Sequence, residues 1–153
     1  MTTLNVKGHE FTLENKGSFS SLYINQKLKM AICFAEEEYI PIDSFKEMFL
    51  HISVLIEKIE IKHLIFDKQK LRTFHQPSME WYFAVWKPSM KSKGLTSHYK
   101  ILPKLIWFEK AVEAGKYEIF QKFSKEILNG ITIMYVNSID EAIENSLLND
   151  TKV

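Results

Sequence analysis

Between Asp43 and Asp67 the chain changes its apolar period, and that change limits the folds open to it. Phe45, Met48, Phe49, Ile52, Leu55, Ile56 and Ile59 recur at three-and-four spacing, the signature of a helix with one buried face. Asp43 stands where a side-chain oxygen can cap free backbone amides, so a helix is predicted over residues 44–61. It runs into His63-Leu64-Ile65-Phe66-Asp67, a short apolar run with a polar residue at each end. Such a run suits a strand buried on both faces, which means a parallel strand in a covered sheet.

The alternation continues. Pro77 and Ser78 open a second helix, with Ser78 as its natural N-cap and Gly94 as its C-cap after Lys91 and Lys93. Tyr99, Ile101 and Leu102 form a strand ending at Pro103. The segment 106–128 reads as helix in two pieces, broken near Gly115. Ile131 to Val136 follows the Asn129-Gly130 turn as another strand. The last helix begins with Ser138-Ile139-Asp140-Glu141, a capping-box pattern, and puts Ile139, Ala142, Ile143 and Leu147 on one face. Helix–strand repetition implies parallel strands joined by crossovers.

The first third has a different period. Phe11 and Leu13 alternate with Glu10, Thr12 and Glu14. Beyond a turn at Asn25-Gln26-Lys27, Leu28, Met30, Ile32 and Phe34 alternate with Lys29, Ala31 and Cys33. Period two with a tight turn is a β-hairpin. The reading is an α/β fold, bordering on α+β: a mixed sheet with an N-terminal antiparallel hairpin followed by helix–strand units. With 153 residues, one domain is expected over 1–153 with its core at about 8–148, since a chain of that size buries about 70% of its unfolded surface in a single core.

Charge and cysteine use narrow the function. Twenty basic residues face nineteen acidic ones, for a net charge of +1, so there is no basic surplus for phosphate neutralisation and no nucleic-acid partner is expected. Lys87, Lys91, Lys93, Lys100 and Lys104 do crowd together. A solvated face is the plain reading, and Lys87, Lys91 and Lys93 are candidate anion contacts. One cysteine, Cys33, excludes an intrachain disulfide and points to a reducing, cytoplasmic home. It reads as a small buried apolar residue. The N-terminus lacks the apolar core of a signal peptide, and no run approaches a membrane span.

The order of elements resembles the STAS-like superfamily (sulfate transporter and anti-sigma factor antagonist), above all its small stand-alone bacterial proteins. The resemblance covers roughly residues 20 to 148. It rests on the element order, the Trp-rich helix with Trp86-Lys87-Pro88, and the closing strand with its Ser-Ile-Asp-Glu-Ala helix. It implies a non-enzymatic regulatory or signalling module that binds a protein partner or a second copy of itself. In classical members an Asp-Ser-Ser-Gly turn carries a phosphorylated serine. Here the corresponding stretch is His75-Gln76-Pro77-Ser78, without the acidic residue, the second serine or the glycine. Ser78 is the position to which the resemblance assigns a phospho-switch.

Catalytic patterns are few. Asp67, His75 and Ser78 fall within twelve positions at an expected sheet edge, but the Gly-x-Ser-x-Gly elbow of α/β hydrolases is missing. A strand-end aspartate, a loop histidine and a helix cap explain the three. An uncharacterised hydrolase is therefore the weakest of three readings. The five histidines lack metal-ligand spacing, and the five glycines are scattered singly, so neither a metal nor a cofactor is expected.

One segment exceeds the ordinary. Met79-Glu80-Trp81-Tyr82-Phe83-Ala84-Val85-Trp86 is apolar around nearly its whole circumference, more than one sheet face can cover. Trp81, Val85 and Trp86, with Trp107 and Phe108 as an opposite wall, are the candidate interaction or ligand surface. Three covers fit: a neighbouring helix of the chain, a second copy, or an apolar small molecule. The ligand reading is a binding domain for a lipid-like or other apolar compound, with lysines near its head group.

Overall fold

The computed structural model describes residues 2–151. It is an α/β fold built on one seven-stranded mixed sheet in which spatial order follows chain order. Strands β1 (Thr3–Val6), β2 (His9–Lys16), β3 (Ser20–Asn25) and β4 (Met30–Ala35) run antiparallel. Strands β5 (His63–Asp67), β6 (Ser97–Ile101) and β7 (Thr132–Tyr135) continue from β4 in parallel. The antiparallel part is thus a four-stranded meander and not a single hairpin. β1 escaped the sequence reading because Leu4 and Val6 are its only strong apolar positions.

The connections carry the helices: α1 (Ile42–Ile59), then α2 (Gln76–Trp81), a π turn (Tyr82–Trp86) and α3 (Lys87–Ser92), then α4 (Ile106–Lys122) and α5 (Lys125–Leu128), and finally α6 (Ile139–Thr151). One core packs residues of α1, the π turn, α3, α4 and α5 against Ala31, Cys33, Leu64 and Phe66. A second packs Ala142 and Ile143 of α6 against Met30, Ile32, Ile65, Tyr99 and Ile101. The central strands are covered on both faces, which is why His63–Asp67 reads as one apolar run.

Several local expectations are corrected. The first helix starts at Ile42 with Pro41 as N-cap, and Asp43 lies in its first turn with no capping bond. It stops at Glu60, whose backbone is left-handed (φ 57°, ψ 44°). The second helix is capped by His75, whose Nδ1 accepts the Ser78 amide at 3.3 Å; Ser78 is inside the helix. Proline at N1/N2 of that helix explains the shift, because Pro77 needs a helical φ and no donor. The helical segment runs on past Pro88. The π turn lies just before it, with the Lys87 amide bonded to Tyr82 O, and one wider turn absorbs the amide that proline lacks.

Gly115 lies inside α4, and the break falls instead at Phe123 and Ser124. A Cβ on Gly115 would stand 2.8 Å from the Phe74 ring and 3.1 Å from Met79 Sδ, so the glycine serves close packing and not a turn. The capping box of α6 is present: Ser138 Oγ accepts the Glu141 amide at 3.1 Å, and Glu141 Oε2 accepts the Asn137 amide at 2.8 Å. Gly94 (φ 108°) follows α3 as expected of a left-handed terminator.

Candidate functional site: a cationic pocket at the sheet edge

Parallel register aligns Cys33, Phe66, Lys100 and Tyr135 in one row across β4, β5, β6 and β7. Cys33 and Phe66 belong to the larger core, so Lys100 projects into the face where the crossover helices lie. It stands near the carboxyl ends of the parallel strands, where α/β sheets open crevices. A pocket of ≈ 70 Å³ forms there. Phe45 and Phe49 of α1, Tyr82 of the π turn and Phe108 of α4 make its apolar walls, and Lys68, Lys100, His75, Ser78 and His98 supply its polar groups.

Lys100 is 3% exposed. Its Nζ lies 4.0 Å from the Tyr82 ring centre and 4.6 Å from that of Phe83. Among the described residues it has neither a carboxylate nor a hydrogen-bond acceptor. Burial depresses its pKa well below the usual lysine value, and Lys68, Lys116 and Lys87 add to the effect. Lys68, just past β5, lies 5.0 Å from the Phe66 ring centre. Burial brings its pKa down to about 8. A buried amine with a second, half-buried amine beside it and no acid for either is costly, so the fold holds them there against its own stability.

Next to them, Tyr82 OH and His98 Nδ1 share a hydrogen bond, and the His98 ring stacks on Phe66 at 6.5 Å. His98 is fully buried, and its Nε2 has no partner among the described residues. Burial, followed by Lys100 and Lys68, keeps the imidazole pKa well below its ordinary value, while burial holds the Tyr82 phenol well above its own. Both are neutral near pH 7. The pocket therefore joins aromatic walls, two amines and a neutral donor–acceptor pair, which suits a small molecule with an apolar body and an anionic group.

The residues anticipated from sequence are divided by the structure. Ser78 is buried, and its Oγ lies 2.8 Å from His75 Nδ1. Both line the pocket. Asp67 does not join them; its carboxylate accepts the Gln69 amide at 3.0 Å and the Gln69 side chain at 3.1 Å. Phe108 is buried and forms part of the wall, while Trp107 beside it is 51% exposed. Trp86 is buried and donates its indole N–H to Phe49 O at 3.0 Å and Ser53 Oγ at 2.8 Å. Trp81 packs edge-on against Phe45 and Phe49 of α1. Val85 remains 54% exposed.

Lys87, Lys91 and Lys93 lie outside the pocket lining. Lys87 donates to Leu128 O at 2.8 Å, Lys93 pairs with Glu57 at 2.5 Å, and Lys91 is exposed. Of the crowded lysines, the one that enters the site is Lys100. Sequence reasoning missed it because Tyr99-Lys100-Ile101 looks like a strand with one wet face. Cys33 is buried with its Sγ 3.1 Å from Met48 Sδ, and burial raises its thiol pKa strongly, consistent with an inert core residue.

A Ser–His–Asp chain does exist, at the opposite sheet edge. His63 Nδ1 lies 2.6 Å from Ser97 Oγ, and its Nε2 lies 3.0 Å from both Asp150 oxygens. Ser97 and His63 are buried at the starts of β6 and β5, and none of the three lines the pocket above. A nucleophile needs a substrate-sized space and oxyanion donors beside it; this chain instead ties α6 to the sheet. Among the described residues no three metal-ligating side chains gather, and no helix among them is long and apolar enough to cross a membrane. Comparison of the chain with protein-family models, with curated proteins and with solved structures returned no match to any of them.

Proposed function

We propose that this protein is a binding domain for a small carboxylate with an apolar body, and that it acts by binding. The observation that carries the reading is Lys100: a lysine that is 3% exposed, has no acid beside it and lines an aromatic pocket. A ligand carboxylate supplies the counter-charge that the pocket's two amines, Lys100 and Lys68, both lack, and the aromatic walls take the carbon skeleton. With one water needing about 10–15 Å³, a pocket of ≈ 70 Å³ favours a short acid over the long acyl chain of a lipid.

Thermal unfolding with butyrate, and with butyramide as its uncharged counterpart, tests this. Butyrate should raise the midpoint and butyramide should not, by about 2–4 °C for each kcal/mol of binding in a chain of this size. Lys68→Met should remove the difference. Equal shifts by acid and amide, or none, would overturn the reading.

A second reading keeps the STAS-like resemblance: a regulatory module that binds a protein partner or a second copy. Val85 at 54% exposure and Phe120 at 51% favour it, because they place apolar surface outside the fold. Light scattering at high concentration should then give twice the chain mass, and Val85→Glu should return it to one. For a phospho-switch, Ser78 must first leave its bond to His75, and Ser78→Asp should change partner affinity.

A further inference from the structure

We propose that Lys100 binds its ligand covalently, by condensing with the carbonyl of a short oxo acid whose carboxylate is held by Lys68. The proposal rests on the carboxylate reading above and names the ligand class more closely.

Two amines in one pocket divide the work. An oxo acid carries a negative group and an electrophilic carbon, and the pocket offers one amine to each. Lys100 sits deeper, in the sheet row between Phe66 and Tyr135, and lies against the faces of Tyr82 and Phe83. Lys68 stands past the end of β5, nearer solvent. A lysine beside another cation and out of water gives up its proton more readily, which makes it a nucleophile.

The step balances within the site. The Lys100 nitrogen lone pair attacks the carbonyl carbon, and the C=O π electrons move to oxygen, which takes up a proton. The nitrogen gives up both of its protons in turn, one to complete the hydroxyl and one to carry that hydroxyl away as water as the C=N bond forms. An amine and a carbonyl become an imine and water, with nothing oxidised or reduced. Proton transfer at the oxygen needs a neutral donor–acceptor pair close by, and Tyr82 OH bonded to His98 Nδ1 is such a pair. Size agrees: ≈ 70 Å³ corresponds to roughly five to seven water-sized places, matching a three- or four-carbon oxo acid.

The test incubates the protein with 2-oxobutanoate and cyanoborohydride, which reduces an imine to a stable secondary amine, and maps the adduct by peptide mass spectrometry. One adduct is expected on Lys100, forming at least about tenfold faster than on surface lysines and suppressed by excess butyrate. Lys100→Arg, which keeps the charge and has no primary amine, should form none. No adduct, or one scattered over surface lysines, with the butyrate response intact, would overturn the covalent role and leave the carboxylate site standing. Loss of both the adduct and the butyrate response in the unaltered protein would overturn both.

Discussion

The Lys100 amine lies 4.0 Å from the centre of the Tyr82 ring, and the hydroxyl of that ring is bonded to His98. Aromatic faces and neighbouring lysines surround the amine where a structural role would call for a carboxylate. A buried cation on an aromatic face keeps some favourable electrostatics but loses far more hydration. Lys100→Met should therefore raise stability at neutral pH by about 1–3 kcal/mol. Denaturant titration checks it. A destabilised Lys100→Met protein would mark the lysine as structural.

Lys68 gives a pH dependence with a defined sign. Its native pKa is about 8 against an ordinary 10.5, so between those values the unfolded chain binds more protons than the native one. Stability therefore rises with pH across that window. Lys68→Met removes the penalty, which is at most about 3 kcal/mol for a shift from 10.5 to about 8. The variant should exceed the parent most below pH 8, and the gap should close toward pH 10.5. Unfolding of both proteins at a series of pH values measures it; a gap independent of pH contradicts the assignment.

The two ends of the His63 chain should differ in weight. Asp150 is half-exposed, so Asp150→Ala should cost no more than about 1 kcal/mol. Ser97→Ala leaves His63 Nδ1 buried without its partner and should cost about 1–3 kcal/mol. Denaturant midpoints of the two variants separate these effects.

Tryptophans in the over-apolar region should behave in opposite ways. Trp86→Phe leaves Phe49 O and Ser53 without the indole donor and should cost about 1–3 kcal/mol. Trp107→Phe, at a site 51% exposed, should stay within about 0.5 kcal/mol. Thermal midpoints decide it.

Glu60 ends α1 in the left-handed region at φ 57°, a conformation that costs a side-chain-bearing residue about 1–2 kcal/mol. Glu60→Gly should stabilise the protein by about 1 kcal/mol, after allowing for glycine's greater freedom in the unfolded chain. A denaturant series reads the change directly.

Periodicity in the amino-acid order was enough for the mixed α/β class, the helix from Phe45 to Ile59, the strand His63–Asp67 and the capping box at Ser138. Each depends on contacts or spacings within a few residues. The candidate site was half legible. Ser78, Phe108 and the aromatic run were visible as residues of interest, and His75 and Ser78 do meet in the pocket. Of the two tryptophans read as surplus apolar surface, Trp86 is buried against α1, a partner distant in sequence, and Trp81 is half-buried against it. Lys100 stood out only as one of five crowded lysines and His98 as one of five histidines, and neither was marked as buried, because alternation with Tyr99 and Ile101 is what a half-wetted strand also shows. Only the tertiary structure, by setting β6 between β5 and β7 and closing helices over both faces, decided that this lysine lies inside. A side chain's burial depends on what covers it from elsewhere in the chain, and local pattern carries no record of that.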